Sequence, residues 1–307
     1  MIVKKTQKNG LELSQLGLGC MRLSMNMTGA AIDKKESLAT INRALDSGIN
    51  MLNTGDFYGA GKNEELIAEA LKGYDRDKAF ISLKYGTFGN LMVGNTVDVG
   101  PKNVKKYITA SLKRLNVDYI DLYQPARIDI GIPLEETIGA ISDLVKAGYV
   151  RHIGLSEVDA TTLKKASTTH PISLVEQVYS ITDDTIESEL LPMARELGVS
   201  VVAFGVLGLG KLFKTPDDSL VKMIHQIADE RDISISQVAH AYILAKGEDI
   251  IPLVGARNVA QFEDSVKSVE VVLSAEELQR IKDSKKDSKI IGQSMPKMVI
   301  KNGVLIR

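Results

Sequence analysis

Short apolar runs recur along the chain, each followed by a stretch in which apolar positions return every three or four residues. Eight of these runs read as strands: residues 16–18, 50–52, 79–83, 119–123, 152–155, 174–177, 200–204 and 250–253. Seven are rich in Val, Ile and Leu, as expected of strands buried on both faces. Between them, a helical period puts Val104, Ile108, Leu112 and Leu115 on one face of 103–115. The same period aligns Ile138, Ile141 and Val145 within 134–145, and 188–197 and 219–230 follow it too. Thr161, Ser219 and Ser236 are expected as N-caps or first-turn residues. Repeated βα units with right-handed crossovers give a parallel sheet, and eight of them close into an α/β fold of the (β/α)8 TIM-barrel type. An open doubly wound sheet is the competing topology, usually with a phosphate loop after its first strand. Gly17-Leu18-Gly19 begins such a loop, but Arg22 stands where the third glycine belongs, and 21–33 reads as loop, not helix.

Three segments fall outside the repeat. Lys8-Asn9-Gly10 turns between alternating runs, which predicts an N-terminal β-hairpin plugging one barrel end. Residues 86–101 form a long loop after a strand C-terminus, where they are placed to shape substrate access. The tail 299–306, with its Asn302-Gly303 turn, reads as a second hairpin that docks on the barrel or pairs with another subunit. The alternating charges of 282–289 predict a solvated helix end or loop. One barrel domain over 1–307, with a short extension from about 286, accommodates all of this.

Composition narrows the partners. Hydrophobic residues make up 44% and charged residues 25% of the 307, enough for a sizeable core. A net charge of −1 with no basic block argues against nucleic acid and anionic membrane. Cys20 is the only cysteine, so no internal disulfide forms. It ends the first strand, where it is expected as a small buried thiol. The first six residues lack the apolar core of a signal peptide, and the apolar stretch 199–213 is broken by glycines and Lys211. A cytoplasmic monomer or small homo-oligomer is the expectation. His152, His170, His225 and His240 show no ligand spacing, so no metal site is expected.

The candidate chemistry lies in Gly48-Ile49-Asn50-Met51-Leu52-Asn53-Thr54-Gly55-Asp56-Phe57-Tyr58-Gly59, taken with Lys84 at the end of the next strand. Barrel catalysis occurs at strand C-termini. Reducing a carbonyl with a nicotinamide requires an acid to protonate the oxygen and dipoles to stabilise the developing charge. A tyrosine titrates near ~10 and is a reluctant acid. A neighbouring ammonium stabilises its phenolate, which pairs Tyr58 with Lys84.

The surrounding residues resemble the aldo-keto reductases over nearly the whole chain. The match includes Gly17-Leu18-Gly19 with Met21-Arg22, Asn63-Glu64, Asp118-Tyr119-Ile120-Asp121-Leu122-Tyr123 and Gly148-Tyr149-Val150-Arg151-His152-Ile153-Gly154-Leu155-Ser156. It ends in Ile251-Pro252 and Gly255-Ala256-Arg257. The resemblance implies a (β/α)8 barrel that transfers hydride from NADPH to an aldehyde or ketone, using a tetrad of Asp, Tyr, Lys and His. Tyr58 and Lys84 match. Asn53 stands in the aspartate position and Ala126, just before Arg127-Ile128-Asp129, in the histidine position.

Asn53 can hydrogen-bond Lys84 but brings no charge, so Lys84 is expected to deprotonate more easily. Asp56, in the same loop, is another carboxylate within reach. Ala126 cannot polarise a carbonyl, and one missing donor costs roughly 10²–10³ in rate. Gln124 on the same strand face, or a water, would replace it. Asn53→Asp with Ala126→His is then expected to raise aldehyde reduction at least ~10-fold.

For the cofactor, the resemblance assigns Ser156, Glu157 and Gln177 to the nicotinamide amide and Phe204 to the ring face. Gly205, Leu207, Gly208 and Gly210 would admit the pyrophosphate, with charge from Lys211 or Lys214. Gly255, Ala256, Arg257, Gln261, Asp264 and Ser265 fall at the adenosine end. Arg257 suits a 2′-phosphate, which favours NADPH over NADH. The leading reading is an NADPH-dependent oxidoreductase acting on a small-molecule carbonyl. The second is a nicotinamide-binding barrel serving as a sensor or regulatory subunit, and a non-redox barrel enzyme ranks last.

Overall fold

The computed structural model describes residues 4–7, 9–25, 32–90, 94–292 and 298–306. Among these, eight parallel strands close into a barrel in chain order. They are β1 (Gly17–Gly19), β2 (Met51–Gly55), β3 (Phe80–Tyr85), β4 (Ile120–Pro125), β5 (Val150–Ser156), β6 (Ile172–Val178), β7 (Ser200–Phe204) and β8 (Ile250–Val254). β8 returns to β1 through Leu253↔Gly17 and Val254↔Leu18. This is the (β/α)8 barrel expected from the run of alternating elements.

Outside the strands lie α1 (Lys34–Asp46), α2 (Lys62–Ala70), α3 (Pro101–Leu115), α4 (Leu134–Lys146), α5 (Ala160–Thr169) and α6 (Leu190–Glu196). α7 (Ser219–Arg231) and α8 (Ile235–Leu244) both precede β8, and α9 (Val259–Val266) and α10 (Ala275–Ser284) follow it. The N-caps of α5, α7 and α8 are Asp159, Asp218 and Ser234. Thr161, Ser219 and Ser236 are therefore first-turn residues. Each true cap accepts a first-turn N–H, the bond the helix cannot make for itself.

Strand alternation divides the barrel interior into two layers. Met51, Phe80, Leu122, Leu174, Val202, Ile251 and Leu253 pack into an apolar lower layer with Leu11 and Leu13. Those two leucines flank the start of the strand Glu12–Ser14, which pairs antiparallel with Lys4–Thr6. The N-terminal hairpin thus plugs the end of the barrel where the strands begin; Lys8 of its turn lies outside the described residues. Two positions further along, at the same parity, come Asn53, Ser82, Gln124 and Glu176, with Lys84 above Ser82. The intervening Leu52, Ile81, Leu83, Tyr123 and Val175 face outward into the main core.

β2, β3 and β4 run two or three residues past their expected ends, so Asn53, Lys84 and Gln124 sit within the ladder rather than in loops. The apolar run stops earlier than the strand because the upper interior layer is polar.

The loop after β3 is itself partly sheet. Thr87–Asn90 pairs with Gly94–Val97, and the tail strands Ile300–Lys301 and Val304–Leu305 complete a four-stranded sheet through Val304↔Thr96. The tail therefore docks on its own chain. Gly86 (φ +87) opens this loop, and a Cβ there would meet the Asp98 carbonyl oxygen at 2.5 Å. The 282–289 stretch is not wholly solvated, since Lys285 Nζ donates to Asp184 Oδ2 at 2.7 Å and Tyr242 Oη at 2.9 Å. Among the described residues no helix is long and apolar enough to cross a membrane.

Candidate active site

The polar upper layer forms a closed hydrogen-bond network around one lysine. Lys84 is 4% exposed and its Nζ donates to Asn53 Oδ1 at 2.7 Å. It also donates to Glu176 Oε1 and Oε2 at 2.8 and 3.1 Å. Glu176, 3% exposed, further accepts from Asn53 Nδ2 and from Gln124 Nε2, both at 2.7 Å. Ser82 Oγ lies beneath, 3.3 Å from each of those two amide nitrogens. β2, β4 and β6 thus each contribute one inward side chain to the network, and β3 contributes two, Ser82 and Lys84.

Tyr58 completes the group from above. It follows β2 and begins a turn through Gly59, Ala60 (φ 55) and Gly61 (φ 94), three successive left-handed residues that lead into α2. Asn63 at the start of α2 accepts from Thr54 Oγ1 at 2.6 Å and donates to the Cys20 carbonyl at 2.8 Å, tying this turn to the ends of β1 and β2. The Tyr58 ring centroid is 5.4 Å from Lys84 Nζ, which sets the ammonium against the phenol, where its charge favours the phenolate. The phenol and the ammonium meet, as their strand ends predicted.

Burial raises the Tyr58 pKa above the usual phenol value; Lys84 pulls it down and Glu176 pushes it up. The ammonium is therefore one contribution among several, and the phenol holds its proton more firmly than an exposed tyrosine. For Lys84, burial alone would favour the neutral amine. Glu176 and Tyr58 outweigh it, and the lysine titrates above its ordinary value. This reverses the expectation that Lys84 would be easier to deprotonate for lack of an anionic partner. The carboxylate is present, but on β6.

Asp56 does not supply that charge. Its Oδ2 accepts from the Gly86 N–H at 3.3 Å, while Oδ1 has no hydrogen-bond partner among the described residues. Burial raises its pKa to about 7. Gln124 is likewise no substitute carbonyl polariser, because its amide nitrogen is committed to Glu176 and Ser82. Its Oε1 is buried without a partner among the described residues.

The other expected positions gather along the ends of β5 to β8. Ser156 ends β5 and is buried, and Glu157 follows with φ 55, its Oε1 accepting the Val178 N–H at 3.0 Å. Gln177 Nε2 donates to the Val158 carbonyl at 2.8 Å. Phe204 ends β7, half-buried, and leads into a loop in which Gly205, Gly208, Leu209 and Gly210 all have positive φ. Such turns can form an anion-binding concavity, although the Leu209 and Gly210 N–H groups here donate to the Gly205 and Leu207 carbonyls. Among the described residues, no atom beyond the adjoining chain comes within 4 Å of a Cβ built on Gly210 or Gly255, so both leave room for a ligand. Leu207 and Lys211 are half-buried, and Lys211 titrates lower through burial.

At the end expected for adenosine, Arg257 is exposed and its N–H donates to Gln261 Oε1 at 3.1 Å. Asp264 is engaged by Ser234 Oγ at 2.7 Å and Gln237 Nε2 at 2.8 Å, which pins it to the start of α8. Ala256 and Ser265 are buried. The structure thus leaves Arg257 reaching outward, while the side chains of Gln261 and Asp264 bond to their own chain.

A model of the aldo/keto reductase family matches residues 15–286. The chain belongs to the aldo/keto reductase family. A probable aldo-keto reductase 1 from Glycine max is 33% identical over 304 residues, covering 90% of this chain and 87% of its own. The aldo-keto reductase AKR11C1 from Bacillus halodurans, in its holo form, gives a TM-score of 0.79 at 29% identity, over 96% of this chain and 99% of that one. The glycerol dehydrogenase AKR11B4 from Gluconobacter oxydans gives 0.82 at 25% identity, over 95% and 98%.

Of the four positions that the resemblance implies, the structure brings Tyr58 and Lys84 together. Asn53 still contacts Lys84. Ala126 is buried, its N–H donating to the Tyr85 carbonyl at 2.9 Å, and it presents only a methyl group. Three charged residues were missed in the sequence. Glu176 is legible afterwards as the one charged side chain of its strand, Ile172–Val178. Arg127, half-buried, donates from Nη1 to the Ala126 carbonyl at 2.6 Å and lies close enough to Tyr58 and Glu157 to favour the anionic form of each. Arg22 titrates lower through burial and through the facing charge of Arg257. Neither guanidinium of that pair forms an ion pair with a described carboxylate.

Proposed function

We propose that this chain is an NADPH-dependent oxidoreductase that reduces an aldehyde or ketone, with Tyr58 as the proton donor. The observation that carries this reading is the contact between the Tyr58 phenol and the Lys84 ammonium at the mouth of the barrel. NADPH, when bound, supplies the hydride. Tyr58 carries its proton at neutral pH, as a phenol titrating at about 10 or above does. It can therefore give that proton to an oxygen on which negative charge develops. Lys84 stabilises the phenolate left behind and is itself held charged by Glu176.

Several groups fit a dinucleotide phosphate. The β7 loop with its run of positive φ suits a pyrophosphate. Arg22 and Arg257 bring two like charges together, an arrangement that a bound phosphate relieves. Phe204 is positioned to cover a flat ring, with Ser156 and Gln177 on the neighbouring strand ends. Substrate is a small carbonyl compound.

Ala126 supports a second reading, in which the barrel binds the nicotinamide as a sensor or regulatory subunit and turns over little. One titration separates the two. NADPH binding is followed by its own fluorescence, since the chain has no tryptophan, and oxidation is then read at an absorbance of about 340 nm with aldehydes, ketones and quinones. Binding with turnover supports the reductase. Binding without turnover supports the sensor, and no binding ends both.

A further inference from the structure

We infer that Glu176 is the counter-ion that keeps Lys84 protonated, taking over from β6 the part that the family pattern gives to an aspartate at position 53. Asn53 is the change that makes this exchange possible. The inference deepens the proposed reduction and rests on it for its kinetic readout only.

The geometry fixes donors and acceptors. Asn53 presents Oδ1 to Lys84 at 2.7 Å and Nδ2 to Glu176 Oε2 at 2.7 Å. An aspartate at 53 would place a second carboxylate oxygen against Glu176 Oε2, two like charges on one lysine. The amide relieves that clash and gives Glu176 another donor. Asn53, Lys84 and Gln124 together direct four hydrogen bonds at the Glu176 carboxylate, which satisfies a buried anion. The net charge of the layer is the same whether the acid sits on β2 or β6. What changes is which strand holds the lysine.

The groups that face Lys84 are Tyr58 from the loop after β2, Glu176 from β6 and Cys20 from the end of β1; Arg127 lies further off and acts on Tyr58. Cys20 is buried, and that burial raises its thiol pKa to about 12, so it stays neutral beside the lysine. Glu176 is therefore the anion that opposes the burial of the ammonium. Glu176 touches neither Tyr58's proton nor the carbonyl, and is a positioning residue.

The test is a charge exchange across the barrel. Glu176→Gln removes the anion and turns an amide donor towards the donors of Asn53 and Gln124. Asn53→Asp alone adds a second anion. Asn53→Asp with Glu176→Gln restores one of each, and Gln124 can rotate its unpartnered Oε1 towards the new amide. Lys84 is followed by NMR in protein with 13Cε-labelled lysine, assigned with Lys84→Met, and kcat/KM for NADPH oxidation is measured across pH.

In Glu176→Gln the Lys84 titration and the alkaline limb of kcat/KM should both move to lower pH, with activity down at least tenfold. The double exchange should return both towards wild type. If Lys84 titrates alike in wild type and Glu176→Gln, or if the exchange restores nothing while remaining folded, the inference is overturned. The NMR readout does not require turnover, so a wild type that binds NADPH without oxidising it defeats the reductase reading and still decides this one.

Discussion

At the scale of single residues, Lys84 lies against Tyr58 and its carboxylate partner is Glu176. The sequence displayed Asn53 and Ala126 as departures, because a family resemblance makes an unexpected residue conspicuous. It did not display what was gained. Glu176 lies 123 positions from Asn53 in the chain, and only closure of the barrel puts both inward-facing side chains on one lysine. This alters the expected remedy for activity. Asn53→Asp now sets two carboxylates together and should not help, so the gain expected of the double change belongs to Ala126→His alone. That variant should raise kcat/KM for simple aldehydes at least tenfold by restoring a donor to the carbonyl oxygen; steady-state NADPH oxidation measures it.

Asp56 carries a second prediction at this scale. Its pKa is about 7, well above the value of ~3.9 expected in an unfolded chain. Between those values the folded state holds a proton that the unfolded state has lost, so this group's contribution to stability falls as pH rises from about 4 to about 7. Asp56→Asn removes the buried charge and keeps an acceptor for the Gly86 N–H. It should raise Tm by roughly 2–4 °C at pH 8, with the difference shrinking towards pH 5; thermal denaturation across that range checks it.

At the scale of elements, the strands were readable and their ends were not. Runs such as 79–83 and 119–123 stop where the apolar residues stop, whereas β3 and β4 continue through Lys84 and Gln124 because both side chains donate to Glu176 inside the barrel. The tail was legible as a hairpin, since Asn-Gly is a strong turn signal, but its docking site depends on Asp129. The buried Asp129 carboxylate accepts from the N–H groups of Asn302 at 2.8 Å, Gly303 at 2.6 Å and Gly131 at 2.8 Å. The aspartate of the Arg127-Ile128-Asp129 motif therefore ties the C-terminal hairpin to the loop after β4. Asp129→Ala leaves three amides without that partner. It should cost about 2 kcal/mol or more and speed proteolytic cleavage of 299–306, as followed by mass spectrometry.

At the scale of the whole molecule, the barrel brings together strand ends that are remote in the chain, and both the plug and the tail serve that arrangement. The N-terminal hairpin fills the lower end with Leu11 and Leu13, which leaves the polar layer and the mouth above it as the place for chemistry. Fold class was legible because eight βα units and a family resemblance agreed. The source of the charge on Lys84 was not, because it is a property of the closed cylinder and of no local segment. The most direct test of the central claim compares wild type with Tyr58→Phe, first by NADPH fluorescence and then by single-turnover oxidation with an accepted carbonyl. The account predicts equal NADPH binding and a loss of roughly 10²-fold or more in the chemical step. Undiminished oxidation in Tyr58→Phe would contradict it.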